Sequence, residues 1–173
     1  MVVATVVNLF GGPGVAKSTL ASGIFYHLKR NHVNCELVTE YAKELVWAKN
    51  YEDLNDQIFV FGVQQHRLRI LHNKVDVIVT DSPLPLSLAY GTYRTENFDN
   101  LILEVFNRYN NVNLYVERTT TYQPIGRRDN EESAKGVDIH IKHVLESNYI
   151  EYTTIQSSTD PEFIASMIIE RIR

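Results

Sequence analysis

Only one cysteine, Cys35, occurs in the chain of 173 residues, so no internal disulfide can form and a reducing compartment is expected. No apolar run approaches the ~20 residues that cross a bilayer, and the amino end shows no cationic, cleavable leader pattern. A cytoplasmic protein with no membrane partner is therefore expected. Positive charge is also scarce. Lys and Arg number 17 against 21 Asp and Glu, for a net charge of −4 and a pI near 5.9. That balance disfavours broad, sequence-independent nucleic-acid binding and leaves room only for a local basic cleft. Repeats, low-complexity tracts and Pro/Ser-rich linkers are missing too, so one domain, residues 1–173, is expected.

What is present begins near the amino end. Val3-Ala-Thr-Val-Val-Asn-Leu-Phe-Gly11 reads as a strand in which Val3, Val6, Val7 and Leu9 suit burial in a parallel sheet. It runs into Gly11, Gly12, Pro13, Gly14, Val15, Ala16, Lys17, Ser18 and Thr19, a Walker A loop at every position but Ala16, where glycine is the rule. In such a loop backbone N–H groups close on phosphate oxygens. Lys17 offsets the β- and γ-phosphate charge, the Ser18 hydroxyl holds Mg²⁺, and the following helix aims its positive end at the anion. The Ala16 methyl is tolerable there if φ is negative. A dinucleotide fingerprint fits worse, because Lys17 occupies the place of its third glycine.

Short apolar strands then alternate with helical patterns, the signature of an α/β fold with a parallel sheet covered on both faces. Strands are expected near 3–9, 35–39, 75–80, 112–116 and 151–156. Helices are expected near 17–31, 40–49, 54–73, 84–91, 97–109, 132–147 and 161–172. The last has the plainest signals: Asp160 as N-cap, Pro161 in the first turn, and a stripe of Phe163, Ile164, Met167, Ile168 and Ile172. Residues 117–132 lack apolar periodicity and read as a lid or a mobile insertion.

Several side chains are placed to act near the loop. Asp81 ends an apolar strand in the manner of a Walker B acid, so it is expected to hold Mg²⁺ or to accept a proton. Helix capping is its ordinary alternative, although Ser82 before Pro83 already offers a cap. Glu40 holds the matching place after the second strand and is read as a base or a ribose ligand, against a plain first-turn charge. Lys43 is read at an acceptor phosphate. Gln57 and Gln64 are candidates for a base edge, against a solvated helix face; Ile58, Phe61, Leu68 and Leu71 form the apolar stripe of that helix. Tyr90, Tyr93 and Arg94 are read as closing over the acceptor. Arg118 opens the segment that carries Arg127 and Arg128, whose guanidinium groups match the charge of a transferring phosphoryl group. Their alternative partners are Asp129, Glu131 and Glu132. His140 and His143 share a helix face, but no third ligand completes a metal site. Trp47 is read as packing.

Gly11–Thr19, Thr39–Glu44, Asp56-Gln57, Thr80–Pro83 and Tyr122-x-Pro-x-Gly-Arg127, in that order, resemble the P-loop kinases of the nucleoside and nucleotide kinase group. The set looks similar to small phage-type proteins often labelled AAA-family ATPases, which share features with thymidylate and nicotinamide riboside kinases. The resemblance implies a three-layer sandwich with a five-stranded parallel sheet of order 2-3-1-4-5. It also implies ATP with Mg²⁺ as donor, the loop and Arg118 at the nucleotide, and an acceptor pocket beside the second and third strands. Some members of the wider group phosphorylate 5-hydroxymethyluracil in phage DNA. Asp81-Ser82-Pro83 departs from the Asp-Arg pair of thymidylate kinases, so that arginine's contact to an acceptor phosphate is missing here. The expected function is an ATP-dependent kinase acting on a nucleoside, a nucleotide or a modified nucleobase hydroxyl, as a monomer or homodimer. A kinase for a hydroxymethylated base in DNA, and an ATPase or nucleotide switch acting through a partner, are the alternatives.

Overall fold

The computed structural model describes residues 3–90, 95–119 and 130–173. Strand β1 (Thr5–Phe10) is buried along its whole length, and it pairs in parallel with β3 (Val77–Thr80) on one side and β4 (Asn110–Glu117) on the other. The sheet is completed by β2 (Cys35–Val38) beyond β3 and β5 (Thr153–Gln156) beyond β4. Its order is β2-β3-β1-β4-β5, all parallel, as expected.

Alternation along β1 divides the core. Val7 and Leu9 face a cluster with Leu20, Ile24 and Leu28 of α1 (Lys17–Arg30) and Ile164 and Ile168 of α7 (Pro161–Ile172). Val6 and Phe10 face the other cluster. It is filled by Phe61 and Leu68 of α4 (Gln57–Arg69), Ile102 and Phe106 of α5 (Glu96–Phe106), and Ile141 and Leu145 of α6 (Glu131–Ser147). The result is a three-layer α/β sandwich. Helices α1 and α7 approach closely because residue 23 is glycine: a Cβ there would sit 2.6 Å from Pro161 Cγ. Asn8 is a polar exception inside the sheet. Its Nδ2 donates to Asn111 Oδ1 at 2.9 Å and Asn113 Oδ1 at 3.0 Å, which satisfies the amide and pins β1 against β4.

Several expectations need correction. Val3 is 51% exposed and lies outside the strand, which starts at Thr5. The helix expected over 54–73 is two: α3 (Tyr51–Asn55) stops, and Asp56 accepts N–H bonds from Ile58 and Phe59 to start α4. That restart turns Ile58 outward and buries Gln57 and Gln64. Residues Leu84–Leu88 form a 3₁₀ turn with Pro83 at its cap position, so Ser82 is not the cap. In α7, Phe163 and Met167 are exposed, and Ala165 packs beside Ile164 and Ile168 instead. Cys35 is buried at the start of β2, and burial pushes its thiol up to about 11.

Candidate active site

Three strand ends meet at the carboxyl edge of the sheet. β1 opens into the glycine loop, β3 delivers Asp81, and β2 delivers Glu40; because β3 lies between β1 and β2, Asp81 sits between the loop and Glu40. This is the edge at which open α/β sheets bind ligands.

The loop runs from Gly11 into α1, which begins at Lys17. Lys17 Nζ lies across it, donating to Gly11 O at 2.7 Å and Gly12 O at 3.0 Å. Ser18 and Thr19 occupy the first turn of α1, the part of a helix whose amides lack helical acceptors and suit an anion. Ala16 has φ 66° and ψ 21°, so the condition set by the sequence reading fails. The residue joining loop to helix must be left-handed, which explains why glycine is usual there. A Cβ in this region costs about 1–2 kcal/mol.

Asp81 is buried. Burial pushes its carboxyl above the ordinary range, while the Lys17 ammonium and the N–H of Glu40 pull it back. Its Oδ1 accepts that Glu40 N–H at 3.0 Å. Gln64 Oε1 accepts from Tyr41 N–H at 3.1 Å, and Arg67 reaches Thr39 O at 3.3 Å and Glu44 Oε1 at 2.9 Å. The turn carrying Glu40 is therefore gripped from Asp81, Gln64 and Arg67 together. Gln64 was a base-edge candidate, but its amide is engaged with this turn.

Beside this turn lies a cavity of about 400 Å³. Glu40, Lys43, Gln57, Gln64 and Tyr90 all line it. Its apolar wall includes Val60 and Leu86, and Pro13 joins it to the phosphate loop. Among the described lining residues Lys43 is the cation and Glu40 the anion. Trp47, read as packing, is 62% exposed and stands one turn after Lys43 on α2 (Tyr41–Trp47).

Arg118 is close to the loop, but its guanidinium is joined to Asp138 and to Pro13 O. Asp138, on α6, was not singled out from the sequence: it is distant in the chain and sits among ordinary helical charges. Arg94, Tyr93, Arg127 and Arg128 lie outside the described residues, as does most of the expected lid. Among the described residues no group of three or more His, Cys, Asp and Glu could hold a metal alone. A hydroxyl and a carboxylate, as Ser18 and Asp81 offer, are donor types that Mg²⁺ takes alongside phosphate oxygens and water.

A strand–glycine-loop–helix unit with a lysine across the loop and an acid at the neighbouring strand end defines a P-loop NTPase with a kinase-like fold. A family model described as an AAA domain matches residues 6–162, and the chain belongs to that family. No curated protein matches it in sequence. Among solved structures it is similar to a deoxyadenosine kinase from M. mycoides with dCMP and a flexible dCDP bound. The TM-score is 0.56 at 16% identity, with 96% of this chain and 98% of that chain covered. Among the described residues no helix is long and apolar enough to cross a membrane.

Proposed function

We propose that the protein is an ATP-dependent kinase that transfers the γ-phosphoryl group to the hydroxyl of an uncharged, nucleoside-sized acceptor. The observation that carries this reading is the cavity itself: it adjoins the phosphate loop through Pro13, and its wall bears a carboxylate, Glu40, on a turn held from three sides. A volume of about 400 Å³ with apolar walls and few polar groups suits a base and sugar. A monophosphate would meet Glu40 with only Lys43 to offset it among the described lining residues. The likeness to a deoxyadenosine kinase points the same way.

In this mechanism the loop amides and Lys17 hold the triphosphate, and Ser18 and Asp81 would hold Mg²⁺. When bound, Mg²⁺ supplies charge to the phosphate oxygens. Glu40 takes the acceptor hydroxyl's proton as its oxygen bonds the γ-phosphorus, and the bond to the ADP oxygen breaks. Gln57 and Tyr90 line the cavity, where on this reading Gln57 would contact the base and Tyr90 the acceptor. Gln64 and Asp81 keep Glu40 in position.

One observation favours a second reading, in which the acceptor is a base carried in DNA. Exposed Trp47 lies one turn beyond Lys43, and exposed Tyr51 lies one turn before Leu54 and Asn55, which line the cavity. Such aromatics suit stacking by neighbouring bases. Incubation with γ-labelled ATP separates the readings. Label in a nucleoside monophosphate supports the first. Label in hydroxymethylated DNA supports the second, and label only in inorganic phosphate favours an ATPase acting through a partner.

A further inference from the structure

A carboxylate touches the phosphate loop at a point that nucleotide binding alone does not explain. Asp138 Oδ1 accepts the Gly12 N–H at 2.7 Å. Its Oδ2 accepts Arg118 Nε at 2.8 Å, and Arg118 Nη2 returns to Pro13 O at 2.8 Å. These bonds close a ring around the Gly12-Pro13 segment. The two side chains are 11% (Arg118) and 16% (Asp138) exposed, so solvent screens them little.

We propose that Asp138, braced by Arg118, is a positioning residue that fixes the first turn of the loop for nucleotide binding. The inference rests on the nucleotide-binding reading of that loop. Gly12 supports it sterically: a Cβ there would lie 2.4 Å from Asp138 Oδ1 and 3.0 Å from Ala134 O, so glycine is required by the approach of α6. Charge supports it as well. A lone carboxylate beside a triphosphate would repel it, and the Arg118 guanidinium cancels that repulsion. Arg118 then acts through the loop backbone and need not touch the nucleotide. A brace serving the fold alone is the competing explanation.

Calorimetric titration of the full chain with Mg-ADP decides between them, run below the thermal midpoint of every variant. Asp138→Ala and Arg118→Met are each expected to weaken binding by about tenfold or more, in line with losses on removing an outer-shell partner. The double variant is expected to be no worse than the weaker single one, because the pair acts as a unit. Glu117→Gln, at the exposed end of β4, is expected to leave affinity unchanged. A lowered midpoint with unchanged affinity in the folded variants would overturn the positioning role. Additive losses would overturn the coupling of Arg118 to Asp138. If Asp138→Ala does not fold, Arg118→Met alone carries the test under the same criteria. Wild-type protein that binds no Mg-ADP would remove the nucleotide reading itself, a result distinct from normal wild-type binding with indifferent variants.

Discussion

At the scale of single residues, function and strain coincide at Ala16. It holds a left-handed conformation that glycine adopts freely, at φ 66°. Ala16→Gly should therefore raise unfolding free energy by about 1 kcal/mol, measured by urea denaturation. An unchanged or lower value would show that the methyl contributes packing that offsets its backbone cost. Asp81 gives a pH signature. Its folded pKa is raised by burial, so in the window between its unfolded and folded values the native state binds more protons than the unfolded one. Its contribution to stability is fully present below the unfolded value and is lost as pH rises through the folded value. Asp81→Asn should gain stability relative to wild type as pH rises through that window, while phosphoryl transfer falls. Parallel stability curves for the two proteins across that range would refute the assignment. The glycine loop, Lys17 and Asp81 were legible because their chemistry is written in contiguous residues. The sign of φ at Ala16 was not, since it depends on how the loop meets α1.

At the scale of elements, the turn between β2 and α2 shows how remote groups set one carboxylate. Glu40 could be picked from the sequence by its place after a strand, but its bracing by Gln64 and Arg67 came from α4 packing beside it. Glu40→Gln should leave Mg-ADP affinity near wild type and lower kcat by about 10²–10⁴-fold, the usual contribution of a general base. Stopped-flow or radiolabel kinetics would check this. Equal turnover would transfer the role to another group. Asp56 governs the neighbouring break between α3 and α4. Asp56→Ala should cost about 1 kcal/mol in thermal or chemical unfolding through loss of two capping bonds. The sequence reading ran one helix over 54–73, and the Asp56 cap divides it. The same reading missed Asp138, since 126 residues separate it from Gly12 and nothing local marks the contact.

At the scale of the whole molecule, five parallel strands and their order followed from alternation and from the kinase resemblance, and the sheet bears that out. The cavity needed the three-dimensional fold, because its walls come from the loop, α2, α3, α4, the 3₁₀ turn and α6. That assembly brings the carboxyl ends of β1, β2 and β3 together at one edge of the sheet. The most direct test is calorimetric titration of wild type and Lys17→Ala with Mg-ATP. If the glycine loop grips the triphosphate, wild type binds one nucleotide per chain and Lys17→Ala loses about tenfold or more in affinity, as expected from removing a charged partner. No heat from wild type, or identical isotherms for the two proteins, would contradict it.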